Sequence, residues 1–354
     1  MKKSSKSNWR QEEGLVMGVD LGDRFSSVCV RGADGEIRQE DRVRTNSLEL
    51  SRFFCGVKAA MVVMEVGTHS PWVQRLLSSL GHQVVVANPR RLKMISESDV
   101  KSDRVDAALL SELGQCMPRL LNPVRHRSAE AQADLAVIRA RARLVEVRTK
   151  LWNALRSMAK SMGARLPRKV QAEHVETWEQ SLKPMWETIE AVTEKIKGYD
   201  REIERLAQTK YPEAIRLQQV AGVGPLIALS FVLTIDDPRR FGKSRHVGSY
   251  LGLRRKQQDS GESQPQLRIT RAGDRYLRQL LVQGAQYILG AHGLDTDLRR
   301  WGKRLEGRGG RYAKQRAVVA VARKLAVLLH QLWVSGVRYE PLRQSKAVLK
   351  AAAV

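Results

Sequence analysis

Apolar and polar positions over the first 125 residues follow two rhythms. Short apolar runs of strand length, GLVMGVD, RFSSVCVRG, AAMVVMEV and HQVVVANP, are bounded by glycine, proline and polar turns. IRQEDRVR predicts a further, more polar strand, joined to the preceding one by the turn from Gly32 to Gly35. Between these runs, LELSRFFCGV and PWVQRLLSSLG place apolar residues three and four apart, the spacing of one helix face, with the second helix ending at Gly81. The stretch KSDRVDAALLSE, Lys101 to Glu112, predicts another helix.

Three strands joined by short turns, then helices and strands in alternation, is the order of an α/β ribonuclease-H-like fold, expected over residues 14–125. From Ser128 the texture changes to long helical runs with few breakers. Ile189, Val192, Ile196, Tyr199, Ile203 and Leu206 alternate steps of three and four, which predicts either a coiled-coil seam or a helical hairpin on a core over residues 126–212. The partner helix of that seam is left open between the same chain and another subunit. Residues 213–343 are expected to form a mainly α-helical domain, and 1–13 and 344–354 flexible tails. In that last domain Gly222 and Gly224 separate two apolar helical stretches, as in a helix-hairpin-helix element whose backbone N–H groups approach a DNA phosphate. A plain glycine turn between core helices has the same sequence.

Composition adds a partner. The 354 residues carry 62 Lys and Arg against 37 Asp and Glu, a net charge of +25. Such a balance, with no apolar run expected to span a bilayer, points to a polyanion rather than a membrane. The charge is uneven: residues 14–115 hold thirteen basic and thirteen acidic side chains, whereas residues 239–345 hold twenty-three against seven. The N-terminus lacks the apolar stretch of a secretory signal, and three scattered cysteines suggest neither a disulfide framework nor a metal knuckle. A cytoplasmic, nucleic-acid-associated protein is the expectation.

The neutral region carries the candidate chemistry. Asp103 and Asp106 lie one helical turn apart and face the same way, Asp20 ends the strand MGVD, and Glu65 ends the strand MVVME. In a ribonuclease-H-like sheet those strands are neighbours and the helix packs across them, so the four carboxylates converge. Four carboxylates cannot all stay ionised in a small space without a counter-charge, and hard oxygen donors favour Mg²⁺ or Mn²⁺. Taken singly, each acid also suits a strand-end turn or a helix N-terminus. GVDLGDRFSSV further resembles the first phosphate loop of actin-like kinases, but the second glycine-rich loop that such enzymes need is missing.

A second candidate site lies in the basic half. Arg254, Arg255 and Lys256 precede a polar loop with Ser260 and Gly261, followed by Arg268, Arg271, Arg275 and Arg278. A serine beside glycine, surrounded by arginines, suits attack on a phosphate. An ordinary solvated loop has the same composition, and Ser263 stands close by as a rival.

Taken in order, MGVDLGDRFSSV, VVMEVGTHSP, VVVANPRRLK, KSDRVDA, QQVAGVGP, FGKSRHVGSYLGL and DSG…RITRAGDRYLRQLLV resemble the serine-dependent DEDD transposases of the IS one-ten family of bacterial insertion sequences, from about Gly14 to Arg343. The resemblance implies a RuvC-like nuclease domain, a coiled-coil linker and a C-terminal transposase domain. It further implies Asp20, Glu65, Asp103 and Asp106 as the DEDD acids and Ser260 as the nucleophile of a covalent phosphoserine link. The acids of one subunit would assist the serine of another in a dimer or tetramer. A structured non-coding guide RNA would pair with donor and target DNA, leaving the protein to hold backbones. The alternatives are a metal-dependent junction-resolving nuclease without serine chemistry and a nucleic-acid-binding scaffold.

Overall fold

The computed structural model describes residues 9–88, 102–167, 181–261, 263–265 and 267–343. The expected tail residues 1–8 and 344–354, and the segment 89–101 with the PRRLK motif and Lys101, lie outside the described residues. The chain divides into two compact units, one up to Arg127 and one from Ser128.

The N-terminal unit is built on a five-stranded mixed sheet: β1 (Val16–Leu21), β2 (Phe25–Arg31), β3 (Ile37–Arg44), β4 (Met61–Glu65) and β5 (Gln83–Ala87). The spatial order is β3-β2-β1-β4-β5, antiparallel on the β3 side and parallel from β1 to β5. The central β1 and β4 are apolar because both of their faces are covered, whereas the edge strand β3 is polar and blunted by charge. Met17, Val19, Val62 and Met64 face α1 (Ser47–Phe54) and α2 (Ser70–Ser79). The alternate residues Val16, Val63 and Ala87 face Leu110 and Leu113 of α3 (Asp103–Cys116).

Residues 9–13, expected within a flexible tail, are tied to this unit. Trp9 is buried among the α1 and β-sheet residues, and Arg10 donates from Nη1 to the Phe53 carbonyl at 2.8 Å. An indole with an apolar socket gains more by burial than the chain end loses in freedom.

The second unit is helical. Its first two helices, α4 (Ala129–Ser161) and α5 (Lys183–Thr209), run antiparallel as a hairpin within one chain. Ile189, Ile196 and Ile203, seven residues apart, are buried on the seam, with Val192 and Tyr199 half-buried between them. Trp152 and Trp186 meet edge to face near one end, and Arg141 donates to Asp200 at 2.6 Å. At the other end Ala131, Leu135 and Ile138 join Ile203 and Leu206 in the core of the helices that follow. These are α6 (Pro212–Leu217), α7 (Pro225–Ile235), α8 (Arg245–Tyr250), α9 (Arg275–Leu289), α10 (Asp297–Gly307) and α11 (Ala313–Ser335). The α7 sequence PLIALSFVLTI is apolar all round, and every residue from Ala228 to Ile235 is buried. By length and composition α11 is apolar enough to cross a bilayer, contrary to the expectation that no such run exists. Its Ala317, Val321, Ala322 and Leu325 are spent in the core of this unit.

Candidate active site

Two of the four acids are placed by the sheet. β1 and β4 pair in parallel with Val19 opposite Met64, so the next step along both strands sets Asp20 beside Glu65. Asp20 shares a face with Val16 and Gly18, and Glu65 with Val63, because alternate residues of a strand point the same way. Val16 and Val63 face α3, so both acids do too. Both are half-buried and engaged by neighbouring groups.

The other two acids are placed by α3. Ser102 caps the helix, its hydroxyl accepting from the Val105 N–H at 3.3 Å. Glycines then let helix and sheet touch. A Cβ on Gly18 would meet the Ala107 carbonyl and the Ser111 nitrogen at 1.9 and 2.5 Å, and one on Gly114 would meet Val63 Cγ2 at 2.6 Å. Asp106, next to Ala107, is thereby held against β1 in the first turn of the helix. It is 9% exposed, and its Oδ1 has no hydrogen-bond partner among the described residues. Asp103, one turn earlier, is exposed. No three His, Cys, Asp or Glu side chains among the described residues are drawn together closely enough to hold a metal ion.

Polar ties fix α3 against the β2–β3 hairpin. Arg31 donates to the Ser111 hydroxyl at 3.3 Å, and Gln115 donates to the Gly32 carbonyl at 2.9 Å. Arg104, between the two aspartates, pairs with Glu40 of β3; the guanidinium holds that carboxyl below its usual range. Sequence inspection missed Arg104 and Gly18. The signal was present: an arginine on a helix predicted to lie over a sheet whose edge strand carries acids, and a glycine within an otherwise bulky strand.

The expected serine loop is a short two-armed ribbon in the second unit. Arg255 bridges Ile269, the Lys256 N–H donates to the Arg268 carbonyl at 3.0 Å, and Thr270 donates to Arg254 at 2.9 Å. At its tip Ser260 and Ser263 exchange backbone hydrogen bonds of 3.2 and 3.0 Å across a turn that needs Gly261 at φ +55°. Both serines are exposed, as are Arg254, Arg255, Lys256, Arg268, Arg271 and Arg275. Arg278 instead points inward, donating to the Leu251 and Ala272 carbonyls at 3.0 and 2.6 Å, and so props the base of the ribbon.

The two glycines of the third candidate element differ. Gly222 has φ +84°, and a Cβ there would meet the Gly284 carbonyl at 3.0 Å, so the turn is pressed onto α9. Gly224 caps α7 and has nothing within 4 Å of its Cβ position.

Known proteins match this sequence. A sequence profile described as transposase, of the DEDD IS110 type, matches residues 17–163, which hold all four acids. A second, described as the transposase IS116/IS110/IS902 family, matches residues 214–298, from α6 through the serine ribbon to α10. A probable family 20 transposase of Pseudomonas aeruginosa is 29% identical over 340 residues, covering 92% of this chain and 98% of the relative. The transposase for insertion sequence element IS1111A of Coxiella burnetii is 27% identical over 333 residues, covering 90% and 89%. That for IS1328 of Yersinia enterocolitica is 26% identical over 321 residues, covering 88% and 94%. These matches, over a mixed-sheet unit followed by a basic helical unit, identify the chain as a DNA transposase. The chain belongs to the IS110 family of insertion-sequence transposases.

Proposed function

We propose that the chain is an RNA-guided DNA recombinase that moves its own insertion sequence, through a ribonuclease-H-like, RuvC-like acid site and a phosphoserine intermediate. The observation that carries the acid site is the one-step register of Asp20 and Glu65 beneath α3, together with the buried, unpartnered Oδ1 of Asp106. The strand order β3-β2-β1-β4-β5, antiparallel then parallel, supports the fold assignment. Asp20, Glu65, Asp103 and Asp106 present only hard oxygen donors, which fits Mg²⁺ or Mn²⁺. A divalent ion there supplies charge neutralisation for a reacting phosphodiester. Asp20, Glu65 and Asp106, which face one another across β1, β4 and α3, would hold such an ion.

Ser260 Oγ forms a bond to a DNA phosphorus while the bond from that phosphorus to the leaving nucleoside oxygen breaks. The hydroxyl proton leaves to a carboxylate base, and the leaving oxygen takes up a proton. Reversal with a different strand's hydroxyl rejoins DNA without loss of phosphoester energy. The exposed tip favours access of a bulky strand, and Gly261 beside Ser260 leaves room for it. The exposed cations Arg254, Arg255, Lys256, Arg268, Arg271 and Arg275 would hold phosphates of donor and target DNA and of a guide RNA. Gly224 at the open end of α7 would offer backbone N–H groups to a phosphate, as in a helix-hairpin-helix element. The hairpin α4–α5 would serve as the linker through which subunits pair as a dimer or tetramer.

The experiment combines protein, candidate RNA, donor and target DNA with Mg²⁺. A covalent DNA adduct is expected with the unaltered chain and none with Ser260→Ala. Asp106→Asn is expected to abolish the adduct while leaving the fold intact, and mixing the two variants to restore it. An adduct that survives Ser260→Ala but not Ser263→Ala moves the nucleophile to Ser263. Metal-dependent cleavage that needs Asp106 but neither serine establishes the hydrolytic nuclease instead.

A further inference from the structure

In the second unit a groove of about 1010 Å³ opens between the ribbon of residues 253–271 and α11. Its rim carries Arg255, Arg268 and Arg271 from the ribbon and Arg316, Arg323 and Lys324 from α11, and no described lining residue is acidic. Its floor is apolar, from Leu253 and Ile269 on one wall to Val319 and Val327 on the other.

Two aromatic rings enter the same space. Trp301 of α10 lies with the Lys324 ammonium 4.2 Å from its ring centre. Tyr312, just before α11, is 58% exposed, with the Arg311 guanidinium 4.9 Å from its ring. Tyr312 also holds φ +65°, a left-handed conformation that a bulky side chain adopts only at a cost. Two glycines precede it at 309 and 310, either of which would suit such a position better. An exposed ring kept where the backbone disfavours it, at the mouth of a cationic groove, marks a contact surface.

Duplex DNA keeps its bases stacked inside and would touch only the rim of such a groove. An unpaired strand satisfies both parts, placing phosphates on guanidinium groups and base faces on aromatic and apolar surface. We propose that this groove takes an unpaired DNA strand, phosphates on the rim cations and bases against Tyr312, Trp301 and the floor. The inference rests on the DNA-handling function above and names the strandedness of its substrate. The side-chain chemistry suits DNA, since Gln315, the Tyr312 hydroxyl and the Trp301 indole N–H are the few uncharged polar side-chain groups among the described lining residues that could recognise a ribose hydroxyl.

The test measures binding of the full chain to fluorescein-labelled oligothymidylate, oligouridylate and duplex DNA, each of about 15 nucleotides or base pairs, near the upper site size of such grooves. The variant is Tyr312→Gly, which deletes the ring and suits the left-handed backbone, so its urea midpoint should equal or exceed that of the unaltered chain. Oligothymidylate affinity is expected to fall about tenfold, as for loss of one stacked base, with duplex affinity unchanged. Tyr312→Phe should keep full affinity. Equal losses for single strand and duplex, or no loss, overturn the proposal while leaving the recombinase assignment standing. Tighter oligouridylate binding with the larger loss assigns the groove to RNA and overturns it as well. Failure of the unaltered chain to bind any of the three overturns both.

Discussion

A Cβ on Gly18 would stand 1.9 Å from the carbonyl oxygen of Ala107, so strand β1 and helix α3 touch backbone to backbone. That contact sets the height of Asp106 above Asp20, which is two residues from Gly18 on the same face. Gly18→Ala should therefore push α3 away from the sheet, because neither backbone can yield as a side chain would. A destabilisation of about 3 kcal/mol, the upper end of overpacking costs, is expected in urea unfolding. DNA cleavage should fall far more than the folded fraction does, even though all four acids are retained.

The glycines of the α6–α7 turn should separate by role. Gly222→Ala places a side chain at φ +84° against the Gly284 carbonyl and should lower the urea midpoint clearly. Gly224→Ala meets open space and should cost about 1 kcal/mol or less, the value of an N-cap change. If Gly224 receives a phosphate, the second variant should still lose duplex affinity in a salt-dependent binding assay. Unchanged affinity would return the turn to a purely architectural role.

Acidification should weaken the N-terminal unit through its histidines. Burial pushes the His82 imidazole below its ordinary value of 6.5, and burial together with Arg75 and Arg127 does the same to His126. Above that value both folded and unfolded chains are neutral at these sites, and the stability is fully present. As pH falls below it the unfolded chain takes up protons first, so stability declines until the folded-state histidines protonate in turn. Urea unfolding of the full chain should show a lower midpoint at pH 5.5 than at pH 7.5. His82→Gln should flatten part of that dependence, since a glutamine oxygen can still accept from the Ala60 N–H that His82 Nδ1 accepts at 3.3 Å.

Much of the architecture was legible because it rests on local periodicity. Four of the five strands, the capped α3 helix and the seven-residue spacing of Ile189, Ile196 and Ile203 can be read from which residues avoid water, and the polar edge strand β3 from the turn that precedes it. The strand-end positions of Asp20 and Glu65 were legible too, because the apolar runs that precede them mark where each strand stops. The tie between Arg104 and Glu40, 64 positions apart, was legible only as a possibility: the helix-over-sheet order brings an arginine near an acidic edge strand, but which of that strand's acids it meets depends on tertiary register. The helical wall of the basic groove was missed. Arg316, Arg323 and Val327 do share a face by spacing, but an all-α segment rich in arginine offers many such stripes.

By itself the sequence determined most element types, the split into a neutral and a basic region, and the family, because composition and short-range order are properties of the chain alone. Only the tertiary structure decided that α4 and α5 pair within one chain, that Trp9 belongs to the N-terminal core, and that Tyr312 stands across from the ribbon arginines. Those outcomes depend on which surfaces bury one another, and burial is a relation between distant segments that no local pattern encodes.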